Sequence, residues 1–309
     1  MDTPLGQLPP WYAQALDDAR AIASAQVYFV VGCQKSGTTW LQLMLNATGV
    51  APCCGEGHYS DVLVPSLKQA FELYNGQAKC NMKAEPREIL AAARVFCDSR
   101  FAAAIRRVPD RTVIAVGDKT PEGAYGMRLL DQLYPQSKFI HIIRDGRDGC
   151  LSGWAHLGRL DQQKKFRSIV EYAEYFAAHH WVPYIQHARN SGAAFGAGRF
   201  LEVRYEQLLQ DPHRHMAEMM AFLGVQSCES DIARAVDAAS FKSLSGGREP
   251  GESDDASHFR KGVAGSWIQD LPPSAVKAFE AKAGTMLHAL GYPLSHELPE
   301  FAVGAGHLA

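Results

Sequence analysis

No apolar run in the 309 residues approaches the roughly 20 needed to cross a bilayer. The opening MDTPLGQLPP has no basic region followed by an apolar stretch, so no secretory signal is expected. Charge of one sign is also missing: 31 Lys and Arg stand against 33 Asp and Glu, a formal net charge of −2. That balance argues against a nucleic-acid partner and against wholesale adsorption to an anionic membrane, while leaving room for a local basic patch. The seven cysteines are scattered and odd in number, with Cys53 and Cys54 adjacent. Their spacing fits neither a disulfide framework nor a metal site, so a reducing, cytoplasmic setting is the expectation. No repeat and no clear linker breaks the chain. We read one domain over 1–309, with a helical leader at 1–25 and a loose tail at 298–309.

What is present alternates between strand and helix. Val27 to Val31 read as a buried strand, and a turn with Gly32 and Gly37 then opens an apolar helix at Thr38. That helix should stop near Asn46 to Gly49. Residues 51–61, APCCGEGHYSD, have neither period, and residues 62–107 look mostly helical with breaks at Asn75-Gly76 and Glu85-Pro86. A second strand is expected at Thr112 to Gly117, a third at Phe139 to Ile143 and a fourth at Arg199 to Arg204. Helices are expected near Gly123 to Leu133, from about Arg144 through Trp154, over 168–190, from Asp211 to Gly224 and from Pro273 to Leu290. Such alternation predicts an α/β fold of three layers, α/β/α, with a central, mostly parallel sheet. Residues 245–258, SGGREPGESDDASH, read as a mobile loop.

The strand–glycine–helix corner is where backbone N–H groups can face an anion. Gly32 and Gly37 match the first part of the P-loop pattern G-x-x-x-x-G-K-[ST], so the architecture is P-loop NTPase-like. The lysine, however, stands at Lys35 and not at position 38, where Thr38 is found. An ordinary corner with a surface lysine would share these features.

GCQKSGTTW resembles the 5′-phosphosulfate loop of sulfotransferases that use 3′-phosphoadenosine 5′-phosphosulfate (PAPS). The resemblance implies that Lys35, Ser36, Gly37, Thr38 and Thr39 hold the phosphosulfate, with Lys35 neutralising charge as the S–O bond breaks. Arg144 and Ser152 resemble the family's Arg-x7-Ser 3′-phosphate motif, and an arginine fork suits a phosphate; from its residues alone Arg144 could be a strand-end arginine paired with Asp145 or Asp148, and the motif spacing favours the phosphate role. Arg260-Lys261-Gly262 resembles the family's RKG element. Trp40, Tyr205 and Phe241 are carried over as adenine contacts, each of which could instead be plain core packing. The paired His179 and His180 read as packing and surface groups.

For the acceptor, Glu56-x-His58-aromatic-x-Asp61 looks like the catalytic-glutamate loop of heparan sulfate glucosaminyl 3-O-sulfotransferases, and Cys-Gly-Glu56 like a segment of tyrosylprotein sulfotransferases. Cytosolic relatives have Lys-Thr-His after the second strand, whereas this chain has Lys119-Thr120-Pro121. The general base would then be Glu56, with His58 as its helper, or else Asp118. Lys119 would hold the sulfonate or tune Glu56. From its residues alone Glu56 could be a surface carboxylate.

The implied activity is transfer of a sulfonyl group to the hydroxyl of a small-molecule, carbohydrate, glycolipid or peptide-tyrosine acceptor. The product would be 3′-phosphoadenosine 5′-phosphate (PAP), and no metal is expected. The alternatives are a P-loop nucleotide kinase or NTPase, which needs a lysine at position 38, and a non-catalytic PAP-binding protein. The Lys-x-x-x-Thr-Val dimer motif of cytosolic relatives is not found after Trp267, which leaves the oligomeric state open.

Overall fold

The apolar runs become the centre of the molecule. In the computed structural model, which describes residues 9–79, 82–108 and 112–299, five strands form one sheet. They are β1 (Gln26–Gly32), β2 (Cys53–Cys54), β3 (Ala115–Lys119), β4 (Lys138–Ile143) and β5 (Phe200–Arg204). Their order is β2-β3-β1-β4-β5, and every pairing is parallel. Successive side chains of β1 go to opposite faces. Val27, Phe29 and Val31 join a core with Phe101, Phe139, Trp181 and Phe279, while Tyr28 and Val30 join a second core with Leu41, Met44, Ile140 and Met219. Both faces are covered, which is why the strands read as continuous apolar runs.

Along the chain the helices are α1 (Pro10–Ala23), α2 (Thr38–Thr48), α3 (Val64–Gln77), α4 (Pro86–Arg106), α5 (Gly123–Leu133), α6 (Gly146–Arg159), α7 (Ile169–Phe176) and α8 (Val182–Phe195), followed by α9 (Tyr205–Gln210), α10 (Pro212–Leu223), α11 (Glu229–Ala238), α12 (Phe241–Leu244), α13 (Trp267–Asp270) and α14 (Pro273–Ala289). The first core lies under α1, α4, α5, α6, α7, α8 and α14. The second lies under α2, α9, α10 and α11. The result is three layers, α/β/α. The expected "mostly parallel" sheet is parallel throughout the described residues.

Four boundaries differ from the sequence reading. β3 starts at Ala115, not Thr112, and runs through Asp118 and Lys119, because β1 pairs with it up to Val30↔Lys119 and β2 pairs Cys54↔Asp118. The Asn75-Gly76 break is absent: α3 continues to Gln77, and Asn75 instead clamps the following loop, its side chain bonding both the N–H and the carbonyl of Ala84 at 2.7 and 2.9 Å. The helix expected over 168–190 runs unbroken to Phe195 but widens into a π-turn at Ala177–Trp181. His180 there stacks on Phe176 and Tyr184. The loop at 51–61 holds β2 and the start of a π-turn, Tyr59–Leu63. The leader helix matches its expected place, whereas most of the tail from Leu298 and the first eight residues lie outside the described residues.

β1 is flanked by β3 on one side and β4 on the other. The chain turns outward in both directions from that point, so a crevice opens beyond the carboxyl end of β1.

Candidate active site

The crevice begins where β1 stops. Lys35 has φ 69° and Gly37 φ 95°, two left-handed residues that turn the chain back into α2. A Cβ on Gly37 would stand 2.7 Å from Cδ2 of Tyr205, so only glycine allows both the turn and the ring packed against it. Gly37 is the N-cap of α2, and no side chain caps that end. The N–H groups of Thr38, Thr39 and Trp40 are left without intrahelical partners, which makes an anion site. Lys35 is half-buried above it. Burial, and then the charge of Arg159, lower its pKa to about 8.

The Glu56 loop closes one side. Lys119 Nζ donates to Glu56 Oε1 at 2.5 Å and to Thr39 Oγ1 at 3.4 Å. Partial burial works against the charge of Glu56, but Lys119 outweighs it and holds the carboxyl below its ordinary range. His58 Nε2 lies 3.8 Å from Glu56 Oε2, and its Nδ1 is 2.7 Å from Asp61 Oδ2. That hydrogen bond raises the pKa of His58. Asp118 sits beneath the loop, accepting from Gly57 N at 2.9 Å and Thr120 Oγ1 at 2.7 Å. Burial pushes its carboxyl up to about 7, against those two hydrogen bonds.

The opposite side starts at the end of β4. Arg144 donates to the carbonyls of Lys35 and Val263 at 3.4 and 3.2 Å and lies 4.2 Å above the centre of the Tyr205 ring. Its ion pair with Asp148 is loose, at 3.7 Å. Asp145 is taken by Arg147 instead, at 2.7 Å. The Nε of Arg144 is buried without a partner, which fits a guanidinium waiting for an anion.

Arg260-Lys261-Gly262 forms the third wall. Gly262 has φ 66°, and a Cβ there would stand 2.3 Å from Cδ2 of Phe241. Buried Asp148 anchors the segment behind it, accepting from Gly265 N at 2.7 Å and Trp267 N at 2.9 Å. Arg248 ties the segment in front, donating to the carbonyls of Phe259 and Arg260 at 2.5 and 2.9 Å. The loop at 245–258 is thus pinned at several points. Lys261 pairs with Asp270 at 2.8 Å.

One cavity of about 450 Å³ joins these walls. Lys35, Gly37, Thr38, Thr39, Trp40, Glu56, Arg144, Ser152, Tyr205, Phe241, Arg260, Lys261 and Gly262 all line it. Ser36, His58, Asp118 and Lys119 do not. Ser36 is buried in the turn, and Lys119 reaches the site only through Glu56 and Thr39. Trp40 donates its Nε1–H to Ala239 O at 2.8 Å and meets Tyr205 edge-on, with ring centres 5.4 Å apart.

The sequence reading missed Gln34, Glu122, His156 and His258, all of which line the same cavity. His156 follows Ser152 by four residues on α6, so helical spacing could have placed it. Arg159 Nη2 donates to His156 Nδ1 at 2.9 Å, while its Nη1 donates to the carbonyls of Asp255 and Ser257. Burial first, then the charges of Lys35 and Arg159, lowers the pKa of both His156 and His258. His58, Asp61 and Glu122 offer ligand atoms within 4.8 Å of one another and could hold a cation.

The profile of the Sulfotransferase family matches residues 28–229. Sulfotransferase 2A1 of Macaca fascicularis is 26% identical over 182 residues, which cover 50% of this chain and 60% of that protein. The chain therefore spans about 60% of the length of that relative. Cytosolic sulfotransferase 16 of Arabidopsis thaliana is 23% identical over 266 residues, covering 80% of this chain and 71% of that one. Among solved structures, mouse sulfotransferase SULT7A1 complexed with PAP superposes with a TM-score of 0.53 at 18% identity, over 85% of this chain and 84% of that one. Retinol dehydratase in complex with androsterone and the inactive cofactor PAP gives 0.51 at 20% identity, over 88% and 85%. At these identities the superpositions show a shared fold.

Proposed function

The chain belongs to the sulfotransferase family, and from that premise we propose that it moves a sulfonyl group from PAPS to an acceptor hydroxyl. The observation that carries this reading is the single cavity joining an uncapped helix N-terminus with Lys35 at one end and Arg144, Ser152 and Arg260 at the other. PAPS has two anionic ends around a purine, and two cationic walls with Trp40, Tyr205 and Phe241 between them suit it. The unpartnered Nε of Arg144 and the two glycines that let Tyr205 and Phe241 close in are further support.

When bound, PAPS would supply the sulfonyl group and leave as PAP with the electron pair of the broken S–O bond. Lys35, Thr38, Thr39 and the first N–H groups of α2 hold the phosphosulfate end and neutralise the leaving oxygen. Arg144, Ser152 and Arg260 hold the 3′-phosphate. Glu56 takes the proton of the acceptor hydroxyl on Oε2, since Oε1 is engaged by Lys119. Lys119, through Thr39 and Glu56, keeps base and phosphosulfate loop in register. Asp118 acts as the brace of the Glu56 loop, because its oxygens are engaged by Gly57 and Thr120. Positioning and charge neutralisation account for most of the rate, as in phosphoryl transfer.

Calorimetric titration with PAP, beside ATP and ADP with and without Mg²⁺, tests the cofactor. The expected result is metal-independent PAP binding with little response to ATP. Mg²⁺-dependent ATP binding without PAP binding would overturn the reading. Binding of PAP without ³⁵S transfer from labelled PAPS to any component of a cell extract would favour a non-catalytic PAP-binding protein.

A further inference from the structure

A second groove, of about 430 Å³, lies between α5 and the π-turn Tyr59–Leu63. Glu122 lines both this groove and the main cavity. It is held there by Gln34 Nε2 at 2.5 Å and Tyr184 OH at 3.3 Å. The two spaces therefore share a wall at Glu122, beside the Glu56 loop, whose Asp61 also lines the groove.

Size favours a role for the groove. A main cavity of about 450 Å³ is near the low end of the roughly 300–1,000 Å³ that houses one drug-sized ligand. A nucleotide donor would take up much of it, and an acceptor larger than its reacting hydroxyl would then extend past Glu56 and Glu122. We propose that this groove is the acceptor subsite and that the acceptor is a polyhydroxylated, sugar-like molecule. The proposal rests on the sulfonyl-transfer reading for the position of the reacting hydroxyl.

The groove's chemistry selects that class. Asp61 and Glu122 accept hydrogen bonds, Arg128 donates, and Ser60 and Gln132 do both. A hydroxyl also does both, so a ring bearing several hydroxyls can satisfy this lining. A sterol-like acceptor would strip water from two carboxylates and a guanidinium and return nothing. A cationic acceptor would meet Asp61 and Glu122, but also the like charge of Arg128. Tyr125 keeps 44% of its surface exposed at the groove. Tyr184 and His187 pack against that ring at centre distances of 4.7 and 4.6 Å. Such a braced ring suits the apolar C–H face of a sugar, where polar edge and apolar face are both needed.

The test is ³⁵S transfer from PAPS to a cell extract, followed by partition and periodate treatment of the labelled product. Periodate cleaves vicinal diols. The expected label is water-soluble and periodate-sensitive. Label in the organic phase, or on a periodate-resistant product, would overturn the proposal. With that product's acceptor in hand, Tyr125→Leu and Arg128→Gln should each raise its KM at least tenfold while PAP affinity stays unchanged. An unchanged KM in both variants removes the groove from acceptor binding. Failure of the wild type to bind PAP would strike the cofactor reading instead, so the two failures are distinguishable.

Discussion

Lys35 shows how much one side chain can be asked to do. It sits half-buried on a left-handed residue at an uncapped helix N-terminus, and burial brings its pKa down to about 8. The charged form is the one that holds an anion, and it is present below that pKa. kcat/KM reports groups of the free enzyme, so it should fall as pH rises through about 8. Arginine stays charged at every working pH. In Lys35→Arg the alkaline limb should vanish even if the rate is low, and in Lys35→Ala turnover should be lost. A pH–rate profile of the three proteins is the check. Glu56 makes the complementary case. It is ionised at neutral pH and shares Lys119 with Thr39. Removing a positioned base costs about 10²–10⁴-fold. Glu56→Gln should lose that much in kcat while PAP affinity, read by calorimetry, stays within a factor of a few. If Asp118→Asn gives the large kcat loss and Glu56→Gln does not, the base is Asp118.

At the scale of elements, the site depends on segments far apart in sequence being held to one crevice. Asp148 is the clearest tie. It stands on α6, four residues before Ser152, and accepts both N–H groups that fix the segment after Arg260-Lys261-Gly262. A hydrogen bond to a charged group contributes about 1.5–3 kcal/mol. Asp148→Ala removes two and leaves two N–H groups without their acceptor, so PAP affinity should fall at least tenfold and the thermal midpoint should fall with it. A variant that keeps its midpoint and its PAP affinity would show that the segment is held some other way. None of this was legible in the sequence, where Asp148 reads only as a rival partner for Arg144. What was legible follows a physical pattern. The strand Val27 to Val31 is apolar on both faces, so its burial in a parallel sheet could be read directly. Gly37 and Gly262 each stand where a Cβ would strike an aromatic ring, so their motifs carry local geometry. Asp118 and Lys119 follow the strand expected at Thr112 to Gly117, yet both residues are in β3, because a strand's limit is set by its partners and not by its own polarity. His156 and His258 reach the cavity from α6 and from the segment before Arg260, and only tertiary packing brings those together.

At the scale of the whole molecule, the cavity is walled by pieces of chain that belong to both sides of the sheet. Its Lys35 end lies at the N-terminus of α2, which covers one core, while Arg144 precedes α6 and Ser152 lies on it, and α6 covers the other. Arg144 also reaches across to the carbonyls of Lys35 and Val263, so it ties the Lys35 turn to the Arg260-Lys261-Gly262 wall. A ligand that bridges these walls binds only the folded chain, and its free energy adds to global stability as RT ln(1 + [L]/Kd). At 100 times Kd that is about 2.7 kcal/mol. At roughly 1.5–2 °C per kcal/mol for a chain longer than 250 residues, the thermal midpoint should rise by a few degrees with PAP. ATP with Mg²⁺ should raise it far less, since it has no 3′-phosphate for Arg144, Ser152 and Arg260. Arg144→Ala should weaken PAP by about 1.5–3 kcal/mol, the scale of a hydrogen bond to a charged group. At a fixed PAP concentration most of the midpoint rise should then disappear. Differential scanning calorimetry of both proteins, with and without PAP, is the measurement. An equal PAP-dependent rise in the variant would mean that Arg144 serves only to join the walls, and the 3′-phosphate would have to be sought at Arg260 and Lys261 alone.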